Sequence, residues 1–254
     1  MNVYWLEQEL ADIPADNEWL SAPEAARLAA LQFAKRRGDW RLGRWTAKCA
    51  VSRCLGLPFV DLTSIEIRPA PSGAPEVFIA NKRVQLLISL SHRESRAVCA
   101  VTLCGAALGC DLELIEPRTD AFITDYFTEA EQALFGAQPQ RRFELTALLW
   151  SGKESALKAL KLGLRVDTRS VTLTPSLAGE PDVWSPLRAE INDAVTLRGW
   201  WRRSGNFVET VVAAPQPAPP ILLTLPASSR RKVREVTAAK SAAAYREPQL
   251  MHFS

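Results

Sequence analysis

Apolar residues along this chain fall in short clusters divided by polar turns, and their spacing alternates between strand and helix periods. The opening Val3-Tyr4-Trp5-Leu6 predicts a short strand. Pro23 to Ala34 predicts a helix, with Ser21 near its start as a cap. Lys35 to Leu55 predicts a second helical stretch, rich in Arg and Trp, that ends near Gly56 and Pro58. Ile65-Glu66-Ile67, Val77-Phe78-Ile79 and Leu86 to Leu90 predict strands, with Pro69 to Pro75 as a turn-rich loop. Ala97 to Leu103 and Ala107 to Leu114 predict two buried strands joined by a turn at Gly105.

The pattern then starts again. Thr128 followed by Glu131 is a capping-box signature. A longer helix is predicted from about Arg142 to Lys161, stopping near Gly163, with a strand over Ser170 to Thr174. Trp200 to Arg203 and Phe207 to Ala213 predict two closing strands around Ser204-Gly205-Asn206. Pro215, Pro217, Pro219 and Pro220 break regular structure, and Ala227 to Ser254 is basic and rich in Ala and Ser. The fold class read from this order is α/β (α+β). The expected division is an N-terminal half over 1–105, a C-terminal half over 106–215, and a Pro-rich then basic tail over 216–254 that is expected to be disordered. Each half reads as a helix followed by strands, with no convincing sequence repeat between them.

Composition narrows the function classes. The 254 residues are 47% hydrophobic, enough for a substantial core. No apolar run reaches the length of a membrane span. Glu7, Glu9 and Asp12 interrupt any secretory pattern, so no membrane association and a cytoplasmic location are expected. The five cysteines are odd in number and include no CxxC pair, so reduced, mostly buried thiols are expected. Six basic residues against two acidic ones follow residue 225. The formal net charge of +3 therefore leaves the first 225 residues slightly negative, and no nucleic-acid partner is expected.

Three segments carry candidate chemistry. In Gly109-Cys110-Asp111-Leu112-Glu113, strand alternation puts Asp111 and Glu113 on one face. Two carboxylates that close repel unless a cation or proton lies between them, and a hard divalent ion suits them. A solvated strand face would look the same. In Trp150-Ser151-Gly152-Lys153-Glu154 through Lys158, helical spacing lines up Trp150, Glu154 and Lys158. That stripe reads either as a surface ion pair or as a metal ligand with a phosphate contact. In Ser89-Leu90-Ser91-His92-Arg93, the strand end offers a hydroxyl, an imidazole and a guanidinium, a set that either binds phosphate or serves structure.

Together these segments resemble the phosphopantetheinyl transferase superfamily, in its longer surfactin-synthetase-type branch. The pattern of that family stands here as Ser91-His92, then Gly109-Cys110-Asp111-Leu112-Glu113, then Trp150-Ser151-Gly152-Lys153-Glu154 to Lys158. An upstream basic stretch, Arg37, Arg41, Gly43-Arg44 and Lys48, also matches. The resemblance covers about residues 1–215. It implies a pseudo-twofold arrangement of two similar halves with the active site between them, in a monomer. It implies a 4'-phosphopantetheinyl transferase that moves the arm of coenzyme A to a serine of an acyl or peptidyl carrier protein. By resemblance, Asp111, Glu113 and Glu154 would hold Mg²⁺, while Ser91, His92 and Lys158 would line the coenzyme A phosphates. Arg44, with Arg41 or Arg37, would bind the 3′-phosphate, and Glu154 is the candidate base. Phe122 to Phe135, with Tyr126, Phe127, Leu134 and Phe135, reads either as part of the carrier patch or simply as core. One departure stands out. Many members carry Gly-Lys-Pro where this chain has Gly73-Ala74-Pro75, which leaves a non-catalytic coenzyme A-binding or carrier-binding protein as the alternative.

Overall fold

The computed structural model describes residues 1–163, 166–192 and 194–225. The basic tail of the sequence reading therefore lies outside the described residues from residue 226 onward. Helix α1 (Ala22–Ala29) begins as its sequence dictates. Ser21 accepts from the Glu24 backbone N–H, and the Glu24 side chain returns to the Ser21 N–H. Helix α2 (Ala34–Leu55) ends at Gly56, whose φ of 65° takes the left-handed cap a side chain would resist. Strands β1 (Tyr4–Glu9), β2 (Ile65–Pro69), β3 (Pro75–Ile79), β4 (Lys82–Arg83), β5 (Leu87–Arg93) and β6 (Arg96–Thr102) complete the first half.

The second half contains β7 (Ala107–Leu114), α3 (Asp120–Tyr126), α4 (Glu129–Ala137), α5 (Arg142–Ala159), β8 (Val171–Pro175), β9 (Ser185–Ile191), β10 (Val195–Ser204) and β11 (Phe207–Ala214). A final short strand, β12 (Ile221–Leu222), returns to the first half. One sheet runs β12-β1-β6-β5, a second runs β7-β11-β10-β9-β8, and β2-β3-β4 forms a small third sheet. The fold is thus mixed helix and sheet. In each half a strand precedes the main helix, a hairpin follows it (β2–β3, β8–β9), and a second hairpin (β5–β6, β10–β11) pairs back onto the first strand.

Strand alternation sorts the core into three layers. On β1, Leu6 faces α2, while Trp5 and the preceding Val3 join Val98 and Ala100 against Leu108, Cys110, Leu112 and Val211 of the second sheet. That central layer bonds the two halves. Leu145, Leu148, Leu149 and Leu157 of α5 fill the third layer with Val208 and Val212. All five cysteines are free thiols. Cys49, Cys99 and Cys110 are buried, Cys54 is half-buried and Cys104 is exposed.

The Pro-rich segment differs from its sequence reading. Residues 216–225 run along β1, with Ala218, Ile221 and Leu223 donating to Met1, Val3 and Trp5 carbonyls at 2.7–2.9 Å. None of these donors is proline, so Pro217, Pro219 and Pro220 remove no bond from that edge. Three further elements, β4, α3 and β9, fall where the sequence predicts none.

A buried ion pair anchors each main helix. Lys48 of α2 contacts Glu24 at 2.5 Å and donates to the Trp19 and Leu62 carbonyls. Lys153 of α5 contacts Glu131 at 2.8 Å and donates to the Thr168 and Val171 carbonyls. Glu24 and Glu131 are both capping-box residues, and each also accepts from a strand N–H, that of Ile67 or Leu173. The local sequences match too: Trp45-Thr46-Ala47-Lys48 and Trp150-Ser151-Gly152-Lys153. Both lysines have no exposed side-chain surface. Lys153→Met would strand a buried Glu131 without its cation. It is expected to destabilise the fold by roughly 3–5 kcal/mol, read as a lower urea midpoint with an unchanged slope.

Candidate active site

The site forms where α5 crosses β7. Gly109 makes the approach possible, because a Cβ there would lie 1.9 Å from the Ser155 carbonyl oxygen. Buried hydroxyls fix the helix over the neighbouring strand: Ser151 and Ser155 contact the Thr210 hydroxyl at 2.9 and 2.7 Å. From this crossing β7 presents Asp111 and Glu113, and α5 presents Glu154 and Lys158.

Asp111 is 3% exposed. Its Oδ1 accepts from Ser91 Oγ at 2.7 Å and from Lys158 Nζ at 2.6 Å. Lys158 also donates to the Cys110 carbonyl at 3.2 Å. Burial opposes the Lys158 ammonium, yet Asp111, Cys110 and Glu154 outweigh it and hold its pKa above the ordinary lysine value. Burial, and then Asp111 beside it, push the Glu113 carboxyl up to about 7 against the pull of Arg93 and Arg118. Burial and Asp111 also raise Glu154, with Lys158 opposing. The three carboxylates thus feel one another, as the sequence spacing anticipates for Asp111 and Glu113.

As the side chains stand, no three His, Cys, Asp or Glu side chains among the described residues are gathered to hold a metal ion. Lys158 draws on Asp111, while Arg93 and Arg118 flank Glu113 at 3.8 and 3.6 Å. The donors nevertheless fit a hard cation. Asp111 Oδ2 and Glu113 Oε2 are buried oxygens with no hydrogen-bond partner, and hard cations take carboxylate oxygens of this kind.

Lys158 also lines a cavity of about 1050 Å³. Arg27, Arg44, Arg68 and Arg83 line it as well, together with His92 and Ala74. Arg44 donates to the Ile67 carbonyl, lies 3.7 Å from Glu24 and stacks over Trp40 at 4.8 Å. His92 is half-exposed, with Nε2 4.0 Å from Asp39 Oδ2. Arg68 stacks over Phe78 at 4.2 Å and bonds Glu66 and Asn81 at 2.7 and 2.6 Å.

The residues proposed from the sequence separate into groups. Asp111, Glu113, Glu154, Lys158 and Ser91 come together, with Ser91 bound to Asp111. Arg44 and His92 line the cavity. Arg37 and Arg41 do not. Arg37 donates to the Leu31 and Gln32 carbonyls, and Arg41 to those of Pro14 and Asp16. Lys48, part of the same basic stretch, is the buried anchor described above. The aromatic segment divides too. Phe127 and Phe135 are core. Tyr126 is 39% exposed and clusters with Phe122 and Trp150 at centroid distances of 4.8–5.2 Å. Arg27, Arg68 and Arg83 were not singled out from sequence. For Arg68 the available signal was alternation with the buried Ile67 just before the turn-rich loop.

Residues 107–204 match the family model of the 4'-phosphopantetheinyl transferase superfamily. The match runs from the start of β7 to the end of β10 and takes in the carboxylate cluster and Lys158. It implies a transferase acting with phosphopantetheine. No curated protein matches the chain. No helix among the described residues is long and apolar enough to cross a membrane.

Proposed function

We propose that the chain transfers the 4'-phosphopantetheine arm of coenzyme A to a serine hydroxyl of an apo acyl or peptidyl carrier protein. The observation that carries this reading is one side chain's double placement. Lys158 bonds Asp111 in the carboxylate cluster and also forms the wall of the arginine-lined cavity. A pyrophosphate held there would lie between the cavity cations and the carboxylates.

In this reading the cavity takes the nucleotide of coenzyme A. Arg44 and His92 contact its phosphates, and Arg27, Arg68 and Arg83 supply positive charge around Ala74. Even without a lysine at that position, six Arg and Lys side chains line the cavity against the carboxylates of Glu24, Asp39, Glu66 and Glu76. Asp111, Glu113 and Glu154 would hold Mg²⁺. The chemistry a bound Mg²⁺ supplies is charge neutralisation at the pyrophosphate oxygens. Lys158 places a second positive charge at the same phosphates, held in direction by Asp111. Glu154, raised by burial, accepts the serine proton. The serine oxygen bonds the β-phosphorus, the bond to the α-phosphate oxygen breaks, and 3′,5′-ADP leaves. The Phe122–Tyr126–Trp150 cluster, with Arg118 over Phe122 at 5.3 Å, offers a partly exposed aromatic surface for the carrier.

Mass spectrometry tests this directly. Purified protein, coenzyme A and Mg²⁺ are expected to add one phosphopantetheine group to an apo carrier. Failure to add it to any of a panel of acyl and peptidyl carriers would overturn the proposal.

A further inference from the structure

Alternate residues of β5 reach the candidate site in register. The Cys110 N–H donates to Ser89 Oγ at 2.8 Å, and Ser91 Oγ donates to Asp111 at 2.7 Å. Two residues further on, Arg93 Nε lies 3.8 Å from Glu113 Oε2. Arg118, just beyond β7, approaches the same oxygen to 3.6 Å. Guanidinium groups beside a buried carboxylate ordinarily close into short, often bidentate hydrogen bonds. Here neither does. Arg93 Nε and Glu113 Oε2 are both buried without a hydrogen-bond partner, although they face each other. Both guanidiniums are engaged elsewhere, by one residue. Glu116 Oε1 lies 2.5 Å from Arg93 Nη2 and 2.9 Å from Arg118 Nη2.

We propose that Glu116 is a positioning residue that holds Arg93 and Arg118 back from Glu113, leaving the Glu113 carboxylate an open oxygen for a divalent cation. The proposal rests on the metal reading given above and adds a residue outside the ligand set. The two arginines come from different halves, Arg93 from β5 and Arg118 from the segment after β7. Their positive charge offsets repulsion in the cation-free cluster. Without Glu116, the same two groups would fall onto Glu113 and compete with the ion for its oxygens.

The test is calorimetric titration of Mg²⁺ into the full chain, with and without coenzyme A. Glu116→Gln is expected to weaken Mg²⁺ binding by roughly 10–100-fold, the usual cost of losing an outer partner of a metal ligand. Glu116→Asp, which keeps the charge, is expected to restore most of it. In an Arg93→Met/Arg118→Met background the same Glu116→Gln change is expected to have no effect, because nothing remains to restrain. An equal loss in both backgrounds would make Glu116 a simple charge and overturn the proposal, as would no loss in either. Circular dichroism checks folding. If the double background does not fold, Arg118→Met alone carries the comparison, with a reduced loss expected. Mg²⁺ binding by the parent chain with no response to Glu116→Gln removes only this inference. No Mg²⁺ binding by the parent chain under either condition removes the metal reading as well.

Discussion

Asp111→Asn is expected to lower carrier modification by roughly 10²–10³-fold, the range seen when one preorganised electrostatic contact to the reacting centre is lost. The substitution keeps shape and removes charge. An asparagine oxygen can still accept from Ser91 and Lys158, as Asp111 Oδ1 does at 2.7 and 2.6 Å. What disappears is the anionic second oxygen, buried and unpartnered in this structure. After burial, the largest upward push on both Glu113 and Glu154 is the charge of Asp111. Its removal takes away the member of the cluster to which the others respond. The checks are the rate of mass gain on an apo carrier and the urea unfolding midpoint. A slow, folded variant fits the proposal. A rate near that of the parent protein would exclude Asp111 from the site.

Most of what was legible in the sequence is local. Ser21 with Glu24, and Thr128 with Glu131, announce helix starts because both members of each box lie within one turn. Gly56 announces the end of α2 for the same reason. Asp111 and Glu113 share a face because two residues are one strand period. The pairings that complete the site span longer distances. Lys158 reads as a phosphate contact in sequence. Its bond to Asp111, 47 residues away, follows only from the crossing of α5 over β7. Arg37 and Arg41 sit in the same basic stretch as Arg44 and cannot be told from it there. Their carbonyl partners lie in loops whose path is set by tertiary packing. β9 had a usable signal, with Leu187, Ala189 and Ile191 alternating with Arg188 and Glu190. Pro186 and the charges obscured it, although every second residue is buried. The correspondence between Trp45-Thr46-Ala47-Lys48 and Trp150-Ser151-Gly152-Lys153 is too short to carry weight as sequence. It gains meaning once both lysines are seen buried against a capping-box glutamate.

Gly109→Ala is expected to damage both stability and transfer, because the glycine is required for contact between two backbones. Its φ lies outside the left-handed range, so conformational freedom is not the issue. A Cβ would meet the Ser155 carbonyl oxygen at 1.9 Å and the Ala159 nitrogen at 2.6 Å. Both are main-chain atoms of α5, and no side-chain rotation relieves them. The helix must move off the strand, at a cost of about 1–3 kcal/mol or more for overpacking. Glu154 and Lys158 lie on the same stretch of helix and move with it, away from Asp111. A displacement of about 1 Å at a reacting centre can cost on the order of 10²-fold in rate. Gly136→Ala in α4 is the matched control. A Cβ there meets nothing within 4 Å, and the change raises helix propensity by up to about 1 kcal/mol. The two variants are expected to diverge in both unfolding midpoint and carrier modification. Gly109→Ala with the parent's rate and midpoint would mean that α5 and β7 do not meet as closely as the site requires. The carboxylate cluster and Lys158 would then lose the crossing that brings them together.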